Sequence, residues 1–392
     1  MPVTEAEVLE ALRPVQDPEL HRSIVELDMV KSVDVAGGQV RVVVALTVAG
    51  CPLRAEITSR VTAAVGGLAG VDAVDVDLTV MTDAEREALR NKLSGGAAGA
   101  GSGHEGHAHG GGHGGQGQRL GHEEGRTNPF MADGSRTRVI GMTSGKGGVG
   151  KSSVTVNTAL ALAKMGREVG ILDADVYGFS IPKMMGIDQE PVVIDGLLVP
   201  PVAYGVKVIS IGFFVEENQP VMWRGPMLHK ALEQFLTDVY WGDLDYLVID
   251  MPPGTGDVAL SMAQYLPKSE VFVVTTPQAA AQRVAQRTAY MAKKINLPLR
   301  GVIENMSWFT GDDGHRYELF GAGGGSVLSE ELGVPLLAQV PLVPALREGG
   351  DVGLPVTASD PDGEAAQAFA ALAKEIDNMG PARVFRPELR IN

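Results

Sequence analysis

The chain of 392 residues carries a single cysteine, a formal net charge of −15 and 44% hydrophobic residues. Its length accommodates two domains with a large core, and one cysteine excludes an intrachain disulfide and suits a reducing cytosol. The acidic balance argues against non-specific binding to nucleic acid or to an anionic membrane. No apolar run approaches the ~18 residues of a membrane span. The opening M-P-V-T-E-A-E-V lacks a basic stretch before an apolar one, so no secretory signal is expected.

Residues 1–93 read as a small α+β domain. Thr4 with Glu7 makes a capping box for a helix through Leu12, and Asp17-Pro18 breaks the helical pattern beyond it. Val30–Val35 and Gln39–Thr47 flank Ala36-Gly37-Gly38, the pattern of a hairpin. A helix is expected from Pro52 to Val65, then a strand over Val71–Val80, where Val74, Val76 and Leu78 alternate with Asp75 and Asp77. Cys51 sits just before that helix. Two readings stand for it: a small buried apolar residue, or a thiolate favoured by the helix dipole.

Residues 94–136 read as a linker, because a stretch of mostly Gly, Ala and His buries too little surface to offset chain entropy. Five of the eight histidines fall there: His104, His107, His109, His113 and His122. Neutral imidazoles at that density chelate Zn²⁺, Ni²⁺ or Cu²⁺, but nothing in the sequence orders them, and a flexible tether is the better reading. Over 137–380 strands and helices alternate, which predicts a doubly wound, mostly parallel α/β sheet, with 381–392 as a tail. The expected strands are Val139–Thr143, Glu168–Leu172, Val206–Ile211, Tyr246–Ile249, Val271–Thr275, Leu299–Ile303 and Leu336–Val340. The expected helices are Ser152–Met165, Met227–Val239, Val258–Tyr265, Ala279–Ile295 and Glu364–Asn378.

The first of those strands enters G-K-G-G-V-G-K-S-S, Gly145–Ser153, and leads straight into a helix. This is the spacing of a phosphate-binding loop in a P-loop NTPase. Gly145, Gly147, Gly148, Val149, Gly150 and Ser153 would present backbone N–H groups to an anion at the positive end of the helix. Lys151 would bind the β- and γ-phosphates, and Ser152 would ligate Mg²⁺. Asp173 and Asp175 lie at the end of a second strand, and Asp250 ends the apolar Y-L-V-I-D in the manner of a Walker-B acid holding Mg²⁺. Gly254 is placed to offer its N–H to the γ-phosphate, so that Pro252–Asp257 would act as a switch. Asn305 ends another strand, and its amide can read the edge of adenine. No N-K-x-D guanine motif is present, which favours ATP.

Lys146, directly after Gly145, makes the loop resemble the deviant phosphate loop of the MinD/ParA group. That resemblance implies a nucleotide-sandwich homodimer in which Lys146 acts on the partner's nucleotide. It also implies that Asp175 orients the attacking water and that Asp173 supports the metal site. With W-R-G-P-M (Trp223–Met227), E-N-M-S (Glu304–Ser307) and F-G-A-G-G-G (Phe320–Gly325), the chain is similar to the Mrp/ApbC family of iron–sulfur cluster carrier ATPases. Its Gly50-Cys51-Pro52 resembles the small domain of SufT-type assembly proteins. The resemblance implies a cytoplasmic, Mg²⁺-dependent ATPase that assists maturation of iron–sulfur client proteins. Members of that family usually carry a Cys-x-x-Cys after E-N-M-S. Here Trp308–Gly321 has no cysteine, and Asp312, Asp313 and His315 are harder ligands, suited to a hydrated turn or a weak Zn²⁺ or Fe²⁺ site. Cys51 is thus the remaining thiolate for a labile cluster. The alternative is an ATP-switched binding module that recruits or releases partners without metal.

Overall fold

The computed structural model describes residues 3–17, 20, 22–47, 54–94, 127–132, 134–176, 178–194, 196–215, 225–254 and 256–382. They divide into two compact units, one within 1–122 together with Val192–Val199, the other within 123–191 and 200–392.

The first unit opens with α1 (Glu5–Leu12), whose capping box is made as the sequence predicts: Glu7 N–H donates to Thr4 Oγ1, and Thr4 N–H to Glu7 Oε2. Strands β1 (Val30–Ala36) and β2 (Gln39–Leu46) pair antiparallel around Gly37-Gly38. Both glycines have positive φ, +56° and +86°, which a two-residue hairpin turn of this hand demands. Helix α2 (Arg54–Gly66) then crosses over to β3 (Ala73–Val80), which lies parallel to β2. Val42, Val44, Ile57, Val61 and Val65 fill the space between sheet and helix. A helix absent from the sequence reading, α3 (Asp83–Ser94), comes next. Its apolar residues are sparse, but Thr82 and Glu85 form a second capping box that marks its start.

The second unit is built on β4 (Arg138–Ser144), followed by α4 (Lys151–Lys164), β5 (Val169–Asp173) and α5 (Ile181–Met184). The short hairpin β6 (Val192–Ile194) and β7 (Leu197–Val199), which groups with the first unit, interrupts it. The chain continues through β8 (Val202–Ala203), β9 (Val206–Ser210), α6 (Gly225–Thr237), β10 (Tyr246–Asp250), α7 (Asp257–Tyr265), β11 (Glu270–Thr275), α8 (Ala279–Lys294) and β12 (Leu299–Asn305). A small hairpin, β13 (Phe309–Thr310) with β14 (Arg316–Tyr317), precedes α9 (Gly324–Leu332) and β15 (Leu336–Val340). Helices α10 (Pro344–Val352), α11 (Val356–Ser359) and α12 (Glu364–Met379) finish the unit.

Eight strands form one sheet in the order β15-β12-β11-β4-β10-β5-β9-β8, parallel throughout except for the edge pair β8–β9. Every residue of β4, β5 and β10 is buried, as expected of strands covered on both faces by helices. All seven strands expected in this region are present, with ends shifted by at most two residues. Register aligns Asp250 of β10 with Asp173 of β5 and Met142 of β4, so the acidic strand ends and the glycine loop emerge at one level. That is the crevice at the carboxyl edge where such sheets bind ligands. Among the described residues no helix is long and apolar enough to cross a membrane.

The opposite edge of the sheet is held by charge. Arg138, 8% exposed, donates from Nη2 to Glu270 Oε2 at 2.6 Å, and Glu270 is 1% exposed. Arg138 also donates to the Ile376 carbonyl, tying β4 to α12, and Arg300 Nε lies 3.4 Å from the same Glu270 oxygen. Removing one partner strands a buried charge, so Arg138→Met is expected to cost about 3 kcal/mol in urea unfolding. Adding Glu270→Met should return part of that loss; a double variant less stable than the single one would contradict the pairing.

Candidate functional site

Residues 145–150 turn from β4 into α4 with two glycines in the left-handed region, Gly148 at φ +80° and Gly150 at +78°. A side chain there would be strained. Gly145 is required for a different reason: a Cβ on it would lie 2.2 Å from the backbone nitrogen of Ala285 in α8. Gly150 is the N-cap of α4 and supplies no side-chain cap, so the first N–H groups of the helix stay available to an anion.

Below the loop, three side chains of α4 converge on one carboxylate. Lys151 Nζ lies 2.7 Å from Asp250 Oδ2 and 3.3 Å from Asp175 Oδ2. Ser152 Oγ donates to Asp250 Oδ2 at 2.7 Å, and Thr155 Oγ1 to Oδ1 at 2.6 Å. Thr155 lies outside the motif read from the sequence; its signal is the i+4 spacing from Lys151, which puts both on one face of α4. Burial alone would depress the Lys151 ammonium, but the charges of Asp250 and Asp175 outweigh it and its pKa is raised. The oxygen donors of Ser152 and Asp250 suit Mg²⁺, a hard cation.

Asp173 is fully buried and committed to protein donors. Oδ2 accepts from Ser210 Oγ at 2.9 Å and Ile181 N at 3.3 Å, and Oδ1 from Asp175 N at 3.2 Å. It therefore shapes the turn that carries Asp175. Burial pushes its carboxyl up, and the neighbouring Asp250 charge adds to this, bringing it to about 7. Ser210, at the end of β9, escapes a motif reading because only sheet pairing brings it to Asp173.

Lys146 Nζ donates to Gln278 Oε1 at 3.2 Å, at the start of α8. Asn305 is 1% exposed; its Nδ2 donates to the Val149 carbonyl at 2.9 Å, while Oδ1 has no partner among the described residues. Gly254 N–H donates to the Ser144 carbonyl at 2.8 Å. Loop residues 146–153 together with Asp175, Leu228, Pro252 and Asp257 border a cleft of about 620 Å³. Cys51, the histidines of the linker, Trp223 and Arg224 lie outside the described residues.

Where the cysteine pair would be expected, β13 and β14 close on themselves. Asp313 accepts from His315 N–H and from Tyr317 OH, both at 2.9 Å, and these bonds hold its carboxyl below the usual range. Arg316 lies 4.2 Å above the Trp308 ring, and Trp308 Nε1, Thr310 Oγ1 and Arg316 all donate to Glu364. Among the described residues no group of three or more His, Cys, Asp or Glu is placed to hold a metal ion.

Two family models match in succession: residues 135–377 fit one described as NUBPL iron-transfer P-loop NTPase, and 5–78 one described as iron-sulfur cluster assembly protein. An iron-sulfur cluster carrier protein of Mycobacterium leprae is 47% identical over 370 residues, spanning 93% of this chain and 90% of its own. A protein of the same name from Synechocystis sp. is 41% identical over 381 residues, spanning 95% and 97%. A solved nucleotide-binding protein in complex with ADP from Archaeoglobus fulgidus is similar at a TM-score of 0.51 and 35% identity, covering 59% of this chain and 91% of its own.

Lys151 is the cation that offsets three buried acids, and its loss should show as a pH-dependent instability. An acid raised from 3.8 to about 7 gives stability below its unfolded value and loses it as pH rises through the folded one. Lys151→Ala is therefore expected to cost about 3–5 kcal/mol near pH 8 and less near pH 5, where Asp173 is protonated. Urea unfolding at both pH values checks the sign; a larger loss at the lower pH would refute the electrostatic account.

Proposed function

The chain belongs to the NUBPL iron-transfer P-loop NTPase family, and from that membership we propose that it is a homodimeric, Mg²⁺-dependent ATPase that carries iron–sulfur clusters or assists their assembly in the cytoplasm. The observation that carries this reading is the convergence of Lys151, Ser152 and Thr155 on Asp250 beneath the glycine loop. Both halves of the chain also match families named for iron–sulfur work.

In this reading the N–H groups of residues 145–153 and Lys151 take the phosphates. Ser152 and Asp250 would hold Mg²⁺, which when bound neutralises charge on the phosphate oxygens. Asp175, 3.3 Å from Lys151, is positioned to orient a water. Lys146 exchanges Gln278 for the nucleotide of the partner subunit, where a cation offsets charge built up in phosphoryl transfer. Gly254 exchanges the Ser144 carbonyl for the γ-phosphate, so its loop responds to hydrolysis. Asn305 Oδ1, unpartnered among the described residues, would be an acceptor for the base. The cluster is cargo. Without a cysteine in Trp308–Gly321, Cys51 is the only thiolate that the chain can offer it, and a client protein or small thiols would complete the ligand set.

The self-closed β13–β14 turn favours a second reading, in which ATP switches the dimer between partner-binding states without any cluster.

Lys151→Ala is expected to weaken ATP binding about a hundredfold by removing a charge-assisted contact. Lys146→Ala should bind ATP within about threefold of wild type yet lose about a thousandfold in turnover, the scale of a cation supplied in trans. Equilibrium binding and phosphate release separate the two, and normal hydrolysis by the Lys146 variant would remove the trans role.

Anaerobic reconstitution should load less than one cluster per dimer, and Cys51→Ser should lose that iron. An iron count and absorption spectrum decide: full loading of the Cys51 variant defeats the ligand assignment, and no loading of wild type favours the metal-free switch.

A further inference from the structure

Asn305 apart, the E-N-M-S and F-G-A-G-G-G stretches gain no role from the chemistry above, yet both meet on one side chain. Glu304, at the end of β12 and 1% exposed, commits both carboxylate oxygens. Oε2 accepts Gly325 N–H at 2.5 Å; Oε1 accepts Ser307 Oγ at 2.9 Å and Gln339 Nε2 at 2.8 Å. Helix α9 has no side-chain cap of its own, so Glu304 caps it from a different element. The glycines make that seat possible. A Cβ on Gly324 would lie 2.3 Å from the Pro277 carbonyl oxygen, and one on Gly325 would lie 2.8 Å from Glu304 Cβ.

Two arms run from this junction to the phosphate loop. In one, Met306 takes a left-handed φ of +59° between Asn305 and Ser307, a conformation that a flanking bond must hold in place. The Ser307–Glu304 bonds do so, and Asn305 Nδ2 then meets the Val149 carbonyl. In the other, Gly324 packs on Pro277, whose neighbour Gln278 accepts from Lys146. A peptide unit is planar and trans, so its C=O and N–H point opposite ways. Holding the Val149 carbonyl down on Asn305 turns the Gly150 N–H up towards the anion site.

Resting on the nucleotide-site reading, we infer that Glu304 is a positioning residue for the phosphate loop, acting through Asn305 on Val149 and through the α9 seat on Gln278 and Lys146. The brace acts on the polyphosphate, whatever base is attached to it.

The test is equilibrium binding of ATP, GTP and inorganic tripolyphosphate, each with Mg²⁺, to the full-length protein and to Glu304→Gln and Asn305→Ala. A glutamine at 304 turns one acceptor into a donor facing a donor, and an alanine at 305 leaves the Val149 carbonyl unbonded. Each variant is expected to lose about tenfold in tripolyphosphate affinity, the effect of one misdirected buried hydrogen bond. Binding is read well below the melting temperature of each variant, where simple destabilisation would leave affinity unchanged; should Glu304→Gln not fold, Asn305→Ala carries the test. Loss confined to ATP, or tripolyphosphate affinity equal to wild type, would overturn the brace. Wild-type protein that bound none of the three would overturn the nucleotide reading along with it.

Discussion

The second unit depends on a charged knot buried at the carboxyl edge of its sheet: one ammonium, Lys151, set against Asp250 and Asp175, with Asp173 in register beside them. Charges out of water are costly unless each has partners. The molecule meets that requirement with hydroxyls and backbone N–H groups drawn from the ends of β5 and β9, the start of α5 and the first two turns of α4. The geometry is consequently over-determined. Ser152 and Thr155 bracket one carboxylate of Asp250, and Ser210 and two amides bracket Asp173. Read as a phosphate site, a set of groups held so closely has little reorganisation left to make when charge develops on its ligand.

Much of this is legible in the sequence, and the reason is physical. Strands buried on both faces leave uninterrupted apolar runs, and Y-L-V-I-D and V-G-I-L-D announce themselves together with the acids that end them. The glycine loop is similarly local, since its backbone demands specific residues at fixed spacing. What escapes a linear reading is whatever depends on pairing across the chain. Ser210 reaches Asp173 only because β9 lies beside β5, and Gln278 reaches Lys146 only because β11 lies beside β4. Helices α9 and α10 escape it because glycines at their starts or centres weaken the helical signal, and α3 because its apolar face is sparse.

The fold also gives some motif residues partners within the protein that the motif does not name. Asn305 reads in sequence as a base-contacting amide, yet its donor is spent on the loop itself. Gly254 reads as a phosphate ligand, yet its N–H sits on Ser144. In each case the sequence names a chemical capacity, and the fold decides which neighbour uses it first. The hairpin after E-N-M-S is the converse. With no thiolates to place, the turn is shaped by Asp313 and by the Trp308–Arg316–Glu364 group.

Lys151 and Asp250 are 99 residues apart, and β10 lies directly against β4 in the centre of the sheet. The central strand cannot complete its ladder while that intervening chain is still being synthesised. At ribosomal rates of about 5–20 residues per second the wait is roughly 5–20 seconds. Through that interval the glycine loop exists as sequence, and the nascent Lys151 lacks the Asp250 carboxylate that lies 2.7 Å from it in the folded unit. Whatever the crevice binds with Asp250 is thereby tied to completion of the sheet.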